Sequence, residues 1–173
     1  MKLPYRFTIA SAALLLAPQA LAHDNGMATG LFAGITHPFT GLDHLIALVL
    51  GGLLLGRHSR GRILSLGILL LALSLGAIGG IVLGPQGWVE VFILLSLPVF
   101  LILHLRHDTT VPGYAITTLA TFLATHGWAH GAEASGATAA FITGFLLGSA
   151  TLLGFGLWLG QLLTSRAHSI HHA

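Results

Sequence analysis

No cysteine occurs in the chain, which excludes disulfides, thiolate metal sites and cysteine nucleophiles. Charge is almost as scarce. Asp, Glu, Lys and Arg make up 7% of the 173 residues, where a soluble domain carries about 25%. That shortage, with 54% hydrophobic residues and a mean hydropathy of +0.88, points to an integral membrane protein. The apolar residues run on without alternating with polar ones, which favours helices over a barrel. No phosphate-cradling motif is present, so ATP is not the direct energy source. The pI near 9.7 reflects seven basic against five acidic residues set between apolar runs; it is a topology signal and gives no sign of a nucleic-acid partner. What the chain has in excess is histidine, eleven residues of it. A metal site here must use nitrogen and oxygen.

The first segment reads as a signal peptide, residues 1–22, with basic Lys2 and Arg6, an apolar core Phe7–Ala17 and a small-x-small site Ala20-Leu21-Ala22. Residues 23–173 then form one transmembrane domain. Its first apolar run, Met27–Gly56, would make a straight helix about 45 Å long against a hydrocarbon core of about 30 Å. It must break, and Pro38 with Gly41 supplies the break, Thr40 capping a new helix that carries Asp43 in its first turn. Four further spans follow: Ile63–Leu83, Val89–Leu105, Val111–Gly131 and Ala137–Leu163. With the mature N-terminus outside, Arg57, Arg60, Arg62, Arg106 and Arg166 all fall on the cytoplasmic side, while Asp24, Glu90 and Glu133 fall outside. The expectation is an all-α, polytopic membrane bundle with a cytoplasmic C-terminus. It has five crossings with a broken first helix, or six if each half crosses alone. Paired glycines such as Gly52/Gly56 and Gly156/Gly160 suit helices packed closely in lipid.

Two polar clusters interrupt these spans. His37-Pro38-Phe39-Thr40-Gly41-Leu42-Asp43-His44 places two imidazoles and a carboxylate at the break. Ionisable groups are expensive in a bilayer and mark functional sites, and broken helices are where transporters hold ions. The plainer reading is an Asp43 that caps the helix and two packing histidines. The second cluster, His126-Gly127-Trp128-Ala129-His130-Gly131-Ala132-Glu133, puts His126, His130 and Glu133 on one helical face. Two imidazoles and a carboxylate are a ligand set for Ni²⁺, Co²⁺, Zn²⁺ or Fe²⁺. Glu90 is either an entrance carboxylate or an interfacial charge in water. His23, after cleavage, would offer an α-amine beside its imidazole for metal capture. His168, His171 and His172 would receive metal on the cytoplasmic face or lie idle in a tail. His58, His104 and His107, beside arginines, are expected to be solvated.

The two clusters, read as His37-Pro38-x-x-Gly41-x-Asp43-His44 and His126-Gly127-x-Ala129-His130-Gly131-x-Glu133, resemble the signature motifs of the HupE/UreJ family. The resemblance implies nickel permeation into the cell for hydrogenase or urease, with metallochaperones of those enzymes as partners beside the lipid bilayer. It implies metal ligands at His37, Asp43, His44, His126, His130 and Glu133, with Glu90 matching a family glutamate. It implies no permanent cofactor: Ni²⁺, or Co²⁺ or Zn²⁺, is cargo. Thr125 stands where the family usually has Phe, and Leu48 where Met is common. Two rivals are a membrane metalloenzyme of di-iron desaturase type, using His126/His130 and His168/His171/His172 as boxes, and an accessory protein that binds metal without transporting it.

Overall fold

The computed structural model describes residues 30–58, 61–105 and 113–170, and helices are the regular elements found there. They are α1 (Leu31–Thr40), α2 (Leu42–His58), α3 (Arg62–Leu83), α4 (Gly87–Leu105), α5 (Gly113–Glu133) and α6 (Thr138–Ile170). The expected signal peptide, His23, His107, His171 and His172 lie outside the described residues.

Among the described residues three helices are long and apolar enough to cross a bilayer: α3, α4 and the Thr138–Ser165 part of α6. The bent α1–α2 pair makes a fourth if taken as one span. The expected span Val111–Gly131 is present as α5, whose 21 residues give about 31 Å of helix. It falls short of the same apolarity. The reason is its position: α5 buries Leu119, Leu123, His126 and His130, so it meets protein where α4 presents Val91, Leu94, Leu95, Leu101 and Ile102 outward. An interior helix can carry polar groups that a lipid-facing one cannot.

Glycine sets the directions. A methyl group at Gly34 would strike the Phe141 carbonyl, one at Gly144 the Leu31 carbonyl, one at Gly52 that of Leu153 and one at Gly156 that of Val49. So α1 and α2 both lie backbone against backbone on α6, and both advance in its direction. The same holds for α3 and α5, where Gly76 meets Ala124 and Gly127 meets Leu73. Lipid provides no hydrophobic drive between helices, so such close approach is what holds them. Contacts of Trp88 with Trp128 and Phe100 with Phe122 run α4 antiparallel to α5. Helix direction therefore alternates from α2 to α6. The chain bends by 83° between α1 and α2.

The break itself differs from expectation in two details. Pro38 sits inside α1, buried, its ring seated against Gly148, and the helix ends only at Gly41. Thr40 does not cap α2; its hydroxyl donates to the His37 carbonyl at 2.8 Å, and the Gly41 carbonyl accepts the first bond of α2 from Leu45 N–H.

Along its axis the bundle has two storeys. One holds His37, His44, His126, His130 and Glu133. The other is closed by Leu54, Leu55, Leu69, Leu73, Leu119 and Leu153 with Phe100. Glu90 and Glu133 mark the histidine end, and Arg57 and Arg62 the leucine end.

Candidate metal centre

Each histidine reaches the centre by a different backbone device. His37 rides the last turn of α1. His44 starts α2, one turn past the break, and its Nδ1 bonds Asp43 Oδ1 at 2.8 Å. Gly41 makes that pairing possible. Its backbone, at φ −88° and ψ 115°, suits any residue. A Cβ there, however, would sit 2.9 Å from His44 Nδ1 and 3.0 Å from Asp43 Oδ1. The glycine is needed for space, not for conformation.

From α5 come His126 and His130, each 2% exposed, and Glu133, exposed at the helix end. Gly127 and Gly131 interleave with them and let α5 touch the α3 backbone, which turns the histidine face toward α1 and α2. The rings then interlock: His37 lies 4.5 Å from His130 between centroids, His44 4.4 Å from His130 and 4.7 Å from His126. One ligand atom each from His37, His130 and Glu133 lies within 4.8 Å of the others. Two imidazoles and a carboxylate are a donor set that could hold a divalent transition metal.

The unpaired atoms are the more telling feature. Both ring nitrogens of His130 and Nε2 of His44 are buried with no hydrogen-bond partner among the described residues. Buried polar groups normally find partners, and each orphan costs free energy. With Nδ1–H given to the Asp43 carboxylate, His44 keeps its Nε2 lone pair for an incoming ion, the arrangement that orients metal-binding histidines.

The two expected clusters thus face one another. Glu90 is not drawn into the rings: it is exposed in the first turn of α4, six residues before the one side chain of that helix seen to bond a cluster histidine. His104 is not solvated as expected; it is half-buried and donates Nδ1–H to the Phe100 carbonyl at 2.9 Å. The side chains of His58 and His168 lie outside the described set. The His168 backbone stands 23 residues beyond Phe145 on α6, about 35 Å along the helix, whereas Phe145 touches the His130 ring at 4.4 Å. Of the second box of the desaturase reading, the described position is the His168 backbone, and it stands far from His126 and His130.

Sequence reasoning missed three neighbours. Phe141 and Phe145, one turn apart on α6, wall the site at 5.5 Å from His37 and 4.4 Å from His130. Ser96 on α4 bonds His126 Nε2 at 3.1 Å. None carries a signal in the sequence, since Phe and single Ser residues are ordinary in apolar spans.

A helical bundle with an apolar exterior and a histidine–carboxylate cluster at one end defines the class: a polytopic membrane protein. The chain belongs to the HupE/UreJ family, described as HupE / UreJ protein, which it matches over residues 11–173. It is 32% identical over 178 residues to Protein HupE of Rhizobium leguminosarum bv. viciae, an alignment covering 95% of this chain and 88% of that one. No solved structure matches it.

Proposed function

We propose that the protein is a secondary-type permease that carries a divalent transition metal ion, Ni²⁺ foremost with Co²⁺ and Zn²⁺ as competitors, across the bacterial inner membrane to supply hydrogenase or urease maturation. Its mature N-terminus is periplasmic, its C-terminus cytoplasmic, and metallochaperones of the client enzyme receive the ion. It catalyses no covalent chemistry. The observation that supports this best is the group of His37, His130 and Glu133 with ligand atoms within 4.8 Å of one another, beside three buried and unpaired ring nitrogens. Family membership and the apolar helices support the membrane setting.

A hydrated ion exchanges waters for Glu133 and then for imidazoles, passing from the exposed carboxylate to the buried rings. Further movement meets Leu55, Leu69, Leu119 and Leu153, so release at the other end needs the helices to part. The glycine seams suit that step because backbones sliding on backbones have few interlocked side chains to disengage. Radioactive nickel flux into proteoliposomes tests the reading. Saturable uptake that cobalt competes for is expected; stoichiometric binding without flux would reduce the protein to a metal-holding accessory.

A further inference from the structure

We infer that Ser96 is a positioning residue that fixes the tautomer of His126 and so decides which of its nitrogens meets the ion. This rests on the metal-binding reading above. Ser96 Oγ has one hydrogen, and it is spent: Oγ lies 2.6 Å from the Ile93 carbonyl, which can only accept. Toward His126 Nε2, at 3.1 Å, the hydroxyl must therefore accept, and Nε2 must carry the proton. The lone pair of the neutral ring is left on Nδ1.

Two facts make this a device and not an incidental contact. Ser96 is fully buried and His126 is 2% exposed, so no solvent stands by to replace the hydroxyl. Ser96 is also the sole hydroxyl-bearing residue of α4, whose other positions around it are apolar. The result complements His44, whose Nδ1 is held by Asp43 so that Nε2 is presented. The two rings lie perpendicular with centroids 4.7 Å apart, one keeping its lone pair on Nδ1 and the other on Nε2. An outer partner of this kind typically changes metal affinity by about 10–100-fold.

The test uses the full-length protein in detergent or nanodiscs with ¹⁵N-labelled histidine, metal-free, at a mildly alkaline pH where imidazoles are neutral. His126 is expected to show the Nε2–H tautomer in the wild type and a mixture in Ser96→Ala. Nickel titration should then show affinity falling about 10–100-fold in Ser96→Ala and largely restored in Ser96→Thr. In a His126→Ala background, Ser96→Ala should add nothing further, as expected of two residues acting as one unit. An Nδ1–H tautomer in the wild type, or additive losses in the double variant, would overturn the inference. If the wild type binds no nickel, the permease reading fails, while the tautomer measured on metal-free protein still decides the role of Ser96.

Discussion

In the histidine storey, His44 and His130 keep three buried ring nitrogens without partners among the described residues; in the leucine storey, Leu55, Leu69, Leu119 and Leu153 are closed completely against one another. The leucine storey is shut off from solvent, whereas in the histidine storey His126 and His130 are buried, His37 and His44 half-buried and Glu133 exposed. The two storeys differ in what burial achieves. Apolar side chains gain dispersion contacts from close packing and hold the bundle together. The buried imidazoles lose hydrogen bonds by it, so the ring nitrogens left unpaired there are a cost and not a gain.

That difference can be broken from either side. The largest effect should come from His130→Ala, which removes both orphaned nitrogens and the ring that touches His37 and His44. Nickel accumulation in cells should fall to background while the amount of protein in the membrane is unchanged. Next is Gly41→Ala, tolerated by the backbone but displacing the Asp43–His44 pair. Nickel affinity measured by titration should drop by about 10–100-fold with helix content intact. In the other storey, Leu119→Ala should leave a cavity and cost about 2 kcal/mol or more, read as a lower thermal midpoint in detergent, with nickel affinity unchanged. A matching loss of affinity would show that the storeys are not independent.

Acidity should act on the histidine storey alone. Protonated imidazoles cannot bind metal, so affinity should fall as the medium is made acidic. A flux that rises on acidification would contradict the histidine ligands. The smallest effect belongs to Glu90→Gln. An exposed carboxylate at the histidine end raises the local cation concentration without touching the bound ion. Its removal should lower the initial uptake rate a few-fold at low ionic strength, and leave the equilibrium affinity alone.

Much of this was open to reading in the residues alone. The shortage of charge and the lengths of the apolar runs determined a helical membrane bundle, because only satisfied backbones survive in lipid. The spacing of His126, His130 and Glu133 placed three polar groups on one face of α5, because helical periodicity is set by local geometry. The surplus length of Met27–Gly56 determined that it must break. Where it breaks was decided by packing: Pro38 stays helical because its ring fits the notch at Gly148, a residue more than a hundred positions away. That the two polar clusters share one pocket, that α5 is the interior helix, and that Ser96 reaches His126 were likewise decided only by the fold. These are relations between helices, and the glycine seams that create them are fixed by which backbones fit against which.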